Sequence, residues 1–102
     1  MKITHINSYP QLENLMYLFL NYNKIEEIAG LEFYTNLSCL DLSHNEIRFV
    51  SGLSSLTNLE ILDISHNNIV TVDDVSNLKL NKRLLNLKVI FNPFSENKNF
   101  LP

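Results

Sequence analysis

Residues 37–58 read Leu37-Ser38-Cys39-Leu40-Asp41-Leu42-Ser43-His44-Asn45-Glu46-Ile47-Arg48-Phe49-Val50-Ser51-Gly52-Leu53-Ser54-Ser55-Leu56-Thr57-Asn58, and the apolar skeleton of this stretch occurs three times. Leu37, Leu40, Leu42, Asn45, Ile47, Val50 and Leu53 are preceded, 22 residues earlier, by Leu15, Leu18, Leu20, Asn23, Ile25, Ile28 and Leu31. They are followed at the same interval by Leu59, Leu62, Ile64, Asn67, Ile69, Val72 and Val75. A fixed period of this length marks a repeat array, in which each unit buries its apolar side only against its neighbours.

Within each block the L-x-L alternation sets two leucines on one face and the residue between them on the other, as a strand of period two requires. Asn23, Asn45 or Asn67 then falls where the chain must leave the sheet. Its side-chain amide can both donate to and accept from turn backbone groups that burial would otherwise leave unpaired. Stacked repeats therefore predict an asparagine ladder. The second half of the block, Ile47, Val50, Leu53 and Leu56, has a spacing near three and predicts a short helical or 3₁₀ return on the convex side. Gly30 and Gly52 mark its bend, and Asp74 takes that place in the third block.

Working outward, Ile3, Ile6, Tyr9 and Leu12 align with Ile25, Ile28, Leu31 and Tyr34, so residues 1–14 read as the back half of a repeat. Full repeats follow at 15–36, 37–58 and 59–83, and residues 84–102 form a terminal repeat with a partial cap. The strand around Leu18 is expected to be an open edge, which invites self-association. The third block is longer by three residues, assigned to Lys79-Leu80-Asn81-Lys82-Arg83. That basic cluster is expected to be solvated, with contact to an acidic partner as the lesser reading. A fourth strand follows as Leu84, Leu87 and Val89, and then Asn92-Pro93-Phe94, where the proline removes a backbone donor and stops further repetition in register. Whether the chain is whole or a piece of a longer array stays open.

The pattern L-x-x-L-x-L-x-x-N-x-I/L resembles the leucine-rich repeat. Its period, with I-x-x-I/V-x-x-L/V after the asparagine, is similar to the short intracellular class that includes a protein phosphatase 1 regulatory subunit, an axonemal dynein light chain and the spliceosomal A′ protein. The resemblance covers nearly the whole chain. It implies an α/β solenoid with a parallel concave sheet of about four strands. It also implies a helical C-terminal cap, of which residues 92–100, with an aromatic at Phe100, look like the start. The class carries many unrelated binding roles on one scaffold.

A single domain is expected from 102 residues, and 45% hydrophobic with 19% charged residues is globular composition. Net charge of −3 argues against direct nucleic-acid binding and makes a basic partner surface the easier match. Cys39, the lone cysteine, has no internal partner for a disulfide, which points to the cytoplasm, with the nucleus as second option. No secretory leader or membrane-length apolar run is read. Asn36-Leu37-Ser38 is a formal glycosylation sequon with no secretory context.

Parallel strands bring equivalent residues into columns about 4.8 Å apart. The concave columns read Tyr17, Cys39, Ile61, Asn86; Phe19, Asp41, Asp63, Lys88; Asn21, Ser43, Ser65, Ile90; and Tyr22, His44, His66, Phe91. Exposed aromatics beside polar groups have the composition of interface hot spots. The candidate partner-binding residues are Tyr17, Phe19, Tyr22, Cys39, Asp41, His44, Ile61, Asp63, His66, Lys88 and Phe91. The competing reading is that a further N-terminal segment covers Tyr17, Phe19 and Tyr22.

Asp41, His44, Asp63 and His66 have metal-ligand chemistry, but they occupy the variable slots of the repeat and no metal is expected. The aspartates suit Lys or Arg from a partner, Lys88 offsets Asp63, and the histidines open a pH dependence. Cys39 is a poor nucleophile because Asp41 raises its pKa. With no P-loop or catalytic carboxylate pair, neither an enzyme, a cofactor nor a small-molecule substrate is expected. The expected function is protein binding through the concave face as a regulatory or scaffolding subunit. The rivals are a structural segment of a longer repeat protein and an RNA-associated protein scaffold.

Overall fold

The computed structural model describes residues 2–6, 12–70 and 76–93. Four short strands, β1 (Tyr17–Phe19), β2 (Cys39–Asp41), β3 (Ile61–Asp63) and β4 (Asn86–Lys88), form one parallel sheet in sequence order. The register is that of the repeat: Leu18 pairs with Leu40, Leu40 with Leu62 and Leu62 with Leu87. Inside the sheet lies the core. Leu37, Leu40, Leu42, Leu59, Leu62 and Ile64 are all closed to solvent, and Ile25, Ile47, Val50 and Ile69 close it from the convex side. Each such side chain contributes about 1.5–3 kcal/mol of burial free energy. The solenoid is therefore held by stacking between repeats rather than by any one repeat alone.

The asparagine ladder forms as the sequence dictates. Asn45 donates from Nδ2 to the carbonyls of Leu42 and Ser43 in its own turn and to Leu20 in the preceding repeat, while Oδ1 accepts from the Ile25 amide. Asn67 repeats the set with Ile64, Ser65, Leu42 and Ile47. Asn92 continues it, accepting from the Ile69 amide and donating to Ile64 and Val89. At the other end the Ile3 amide donates to Asn23 Oδ1, so Ile3 occupies the place that Ile25 holds against Asn45.

On the convex side the first two repeats return through two successive turns each, Leu31 to Tyr34 to Leu37 and Leu53 to Leu56 to Leu59, every turn closed by one backbone hydrogen bond. The longer third block carries a 3₁₀ helix, Ser76–Leu80. Gly30 and Gly52 hold φ of 82° and 73°. At Gly52 a Cβ would collide with the Ile28 carbonyl oxygen, so the bend is both left-handed and too tight for a side chain.

One sequence expectation is corrected here. The three extra residues of the third block do not lie at Lys79–Arg83. Asn81 bonds to Leu78 and Leu84 to Asn81 as Leu56 bonds to Leu53 and Leu59 to Leu56. Leu78 and Asn81 thus hold the places of Leu53 and Leu56, and the insertion falls between Ile69 and Leu78. Contacts with the preceding repeat fix this register: Asn81 Nδ2 donates to the carbonyls of Leu53 and Leu56. Among the described residues its Oδ1 is buried without a hydrogen-bond partner. The readings placed on Tyr9, Val72, Asp74, Val75, Phe94, Phe100 and the partial cap lie outside the described residues.

Candidate functional site

Strand pairing brings the expected columns together. Tyr17, Cys39, Ile61 and Asn86 are successive partners, as are Phe19, Asp41, Asp63 and Lys88. Alternation along each strand turns the central leucine inward, so these residues share the opposite, concave face. Tyr17 and Phe19 are 60% and 63% exposed, which only an uncovered face allows. Residues 2–6 do not cover them; the Lys2 amine donates to the Tyr22 carbonyl, and the Lys24 amide donates to Ile3, beside the ladder turn.

The aspartates are less available than their column suggests. Asp41 Oδ1 accepts from the Ser43 amide at 2.9 Å and from the Ser43 hydroxyl at 2.7 Å. Asp63 Oδ1 accepts from the Ser65 amide at 3.0 Å and its hydroxyl at 2.6 Å. Each carboxylate is thereby fixed in orientation and half spent on closing its own strand end. Lys88 stands opposite Asp63 in the register, at the far end of the column from Phe19.

The fourth column is a continuous stack of rings. Tyr22 and His44 lie 4.1 Å apart at 11°, His44 and His66 4.0 Å at 12°, and His66 and Phe91 4.4 Å at 20°. All four residues are left-handed, with φ of 58°, 56°, 55° and 60°. That conformation lets the chain turn so that the next residue, the ladder asparagine, points back into the sheet. It costs a non-glycine residue about 1–2 kcal/mol. Ring stacking, at about 0.5–1.5 kcal/mol per pair, offsets much of that. The sequence reading found the column but missed the stack and its backbone. The available signal was an aromatic or imidazole ring immediately before every ladder asparagine.

A second polar seam was also missed. Asn36 donates to the Glu13 carbonyl, Asn58 to the Thr35 carbonyl, and Arg83 to Asn58 Oδ1. These residues immediately precede Leu37, Leu59 and Leu84, so the signal was again positional. Arg83 of the basic cluster is therefore engaged in the scaffold, and Asn36 of the sequon has its amide in use.

Burial, and secondarily Asp41, pushes the Cys39 thiol above its ordinary pKa. Both causes disfavour the thiolate. Among the described residues no group of three or more His, Cys, Asp and Glu is placed to hold a metal ion, and no helix is long and apolar enough to cross a membrane.

The family model for leucine-rich repeats, in two copies, matches residues 35–80. No curated protein matches the sequence. Among solved structures, internalin C2 of Listeria monocytogenes is 28% identical with a TM-score of 0.79, over 89% of this chain and 39% of that one. A chain of the SNF/U2A′ complex of Drosophila melanogaster is 25% identical with a TM-score of 0.81, over 97% of this chain and 59% of that one. The internalin InlF of Listeria monocytogenes is 26% identical with a TM-score of 0.68, over 90% of this chain and 33% of that one. The chain thus spans less than two thirds of the length of each of these proteins.

Proposed function

We propose that this chain, whose residues 35–80 match the leucine-rich repeat model, binds another protein through its concave face and works as a non-enzymatic regulatory or scaffolding module. The observation that carries this reading is the contrast between a closed core and a sheet face left with exposed aromatics at both ends. Tyr17, Phe19 and Tyr22 stand at one end and Ile90 and Phe91 at the other, each more than half exposed. Large apolar side chains rimmed by polar ones have the composition of binding hot spots. The single free cysteine supports a reducing compartment, the cytoplasm first and the nucleus second.

The test is a paired substitution, Tyr17→Ala with Phe19→Ala. Capture of a cellular partner is expected to be lost while the circular dichroism spectrum and unfolding midpoint stay unchanged. Undiminished capture by a folded double variant rejects the concave site.

A second reading, an RNA-associated protein scaffold, is favoured by the similarity to a chain of the SNF/U2A′ complex. Against direct RNA contact stands the net charge of −3. Phosphate-driven binding would strengthen steeply as salt falls. Absence of RNA binding at low salt, with protein capture intact, would leave the first reading standing. Self-association at the edge strand β1 is a separate proposal, and a molar mass by light scattering that does not rise with concentration rejects it.

A further inference from the structure

The first two strands set a fixed anion beside two exposed rings. Phe19 is the register partner of Asp41 on the adjacent strand, and Tyr17 lies on the same face two residues away. Parallel strands stand about 4.8 Å apart, so Phe19 and Asp41 project from adjacent positions on the same face. Ser43 holds Asp41 through Oδ1 alone. A carboxylate has about four acceptor sites, and Oδ2 has no hydrogen-bond donor among the described residues. We propose that the protein partner presents an arginine here, its guanidinium laid on Phe19 and Tyr17 and donating to Asp41 Oδ2.

The charges around the face select this place over others. Asp63 has the same serine clamp but has Lys88 as its register partner, so a lysine already stands at the neighbouring place in its column. Lys2, whose amine donates to the Tyr22 carbonyl, holds a positive charge at the turn that follows β1. A cation is therefore best received between Phe19 and Asp41, away from both lysines. Arginine fits better than lysine because a flat guanidinium can lie on a ring and still direct an in-plane N–H at one carboxylate oxygen. Ammonium, a compact and strongly hydrated charge, gains less from the ring.

This inference rests on the concave-face reading and deepens it. Its test is an amide-resolved NMR titration of the full chain with a short oligo-arginine peptide, with oligo-lysine and oligo-glutamine peptides as controls. Saturable shifts are expected at residues 17–19 and 39–43, with oligo-lysine roughly fivefold weaker and oligo-glutamine inert. Asp41→Asn, which keeps an oxygen for Ser43, is expected to weaken oligo-arginine binding roughly tenfold, and Phe19→Leu roughly fivefold. Asp63→Asn should leave it within about twofold. Equal binding of arginine and lysine peptides, or equal losses from Asp41→Asn and Asp63→Asn, would mean general charge attraction and overturns the site. If these shifts fail while the Tyr17→Ala, Phe19→Ala pair still abolishes partner capture, the arginine assignment falls and the concave-face reading survives. Failure of both removes both.

Discussion

In β2, Leu40 is closed to solvent, whereas Cys39 and Asp41, one residue to either side, stay half open; in β3, Leu62 is closed beside an exposed Ile61. The inward side of the strands repeats the same chemistry from block to block. The outward side changes at every block, from Tyr17 to Cys39 to Ile61 to Asn86. Packing between identical units demands the first, because a leucine must meet the leucine of the next repeat. Nothing in the scaffold demands the second, so that face is where a particular partner can be specified. The edge repeats grade between the two: Leu18 and Leu87 occupy core positions but are only half-buried.

The contrast is broken most directly at the inward side. Leu40→Ala is expected to cost about 2–5 kcal/mol, since a fully buried leucine leaves a cavity as well as lost transfer energy. Leu18→Ala, at the equivalent but half-buried edge position, should cost clearly less. Urea unfolding of both variants checks this, and equal losses would mean that stability does not follow the stacking gradient.

Asn45→Ala is the next largest change, at about 1–3 kcal/mol, because the Leu42 and Leu20 carbonyls and the Ile25 amide lose a buried partner together. Asn81 is the useful counterpart. It sits in the place of Leu56 with Oδ1 unpaired, so Asn81→Leu exchanges two hydrogen bonds for a leucine and relieves one orphan acceptor. Thermal unfolding should show Asn81→Leu costing much less than Asn45→Ala. A comparable loss would place both asparagines in the same structural role. On the outward side, Tyr17→Ala with Phe19→Ala should shift stability by no more than about 0.5 kcal/mol, as surface substitutions do. A larger loss in the same unfolding assay would make those rings part of the fold.

The division also explains what the sequence made legible. Register, strand positions and the ladder roles of Asn45 and Asn67 follow from spacing alone, because the repeat imposes one environment on each position. The concave columns follow from the same register. The left-handed backbone at Tyr22, His44, His66 and Phe91 did not, since neither Tyr nor Phe favours it and the stack of rings that offsets much of its cost exists only in the assembled array. Placing the insertion at Lys79–Arg83 failed for a related reason. Asn81 does not look like a core residue, and only its backbone bonds with Leu78 and Leu84 and its side-chain bonds to Leu53 and Leu56 reveal that it stands in a core position. The serine clamps on Asp41 and Asp63 were hidden too, because a carboxylate two residues before a serine reads equally well as a free surface charge.

Cys39 provides the finest probe of the outward side. Its thiol is raised above the ordinary value first by burial and second by the Asp41 carboxylate on the same strand. Alkylation by iodoacetamide follows the thiolate, so its rate should rise with pH around a midpoint above that of an unstructured cysteine peptide. Asp41→Asn removes the charge but not the burial, and the midpoint should fall while staying above the peptide control. Because Asn can still accept from Ser43, the strand end is kept and the shift reports charge alone. A midpoint in Asp41→Asn at or below the control would mean that the carboxylate, not burial, dominates at Cys39, and that the concave face is wetter than the closed leucines behind it imply.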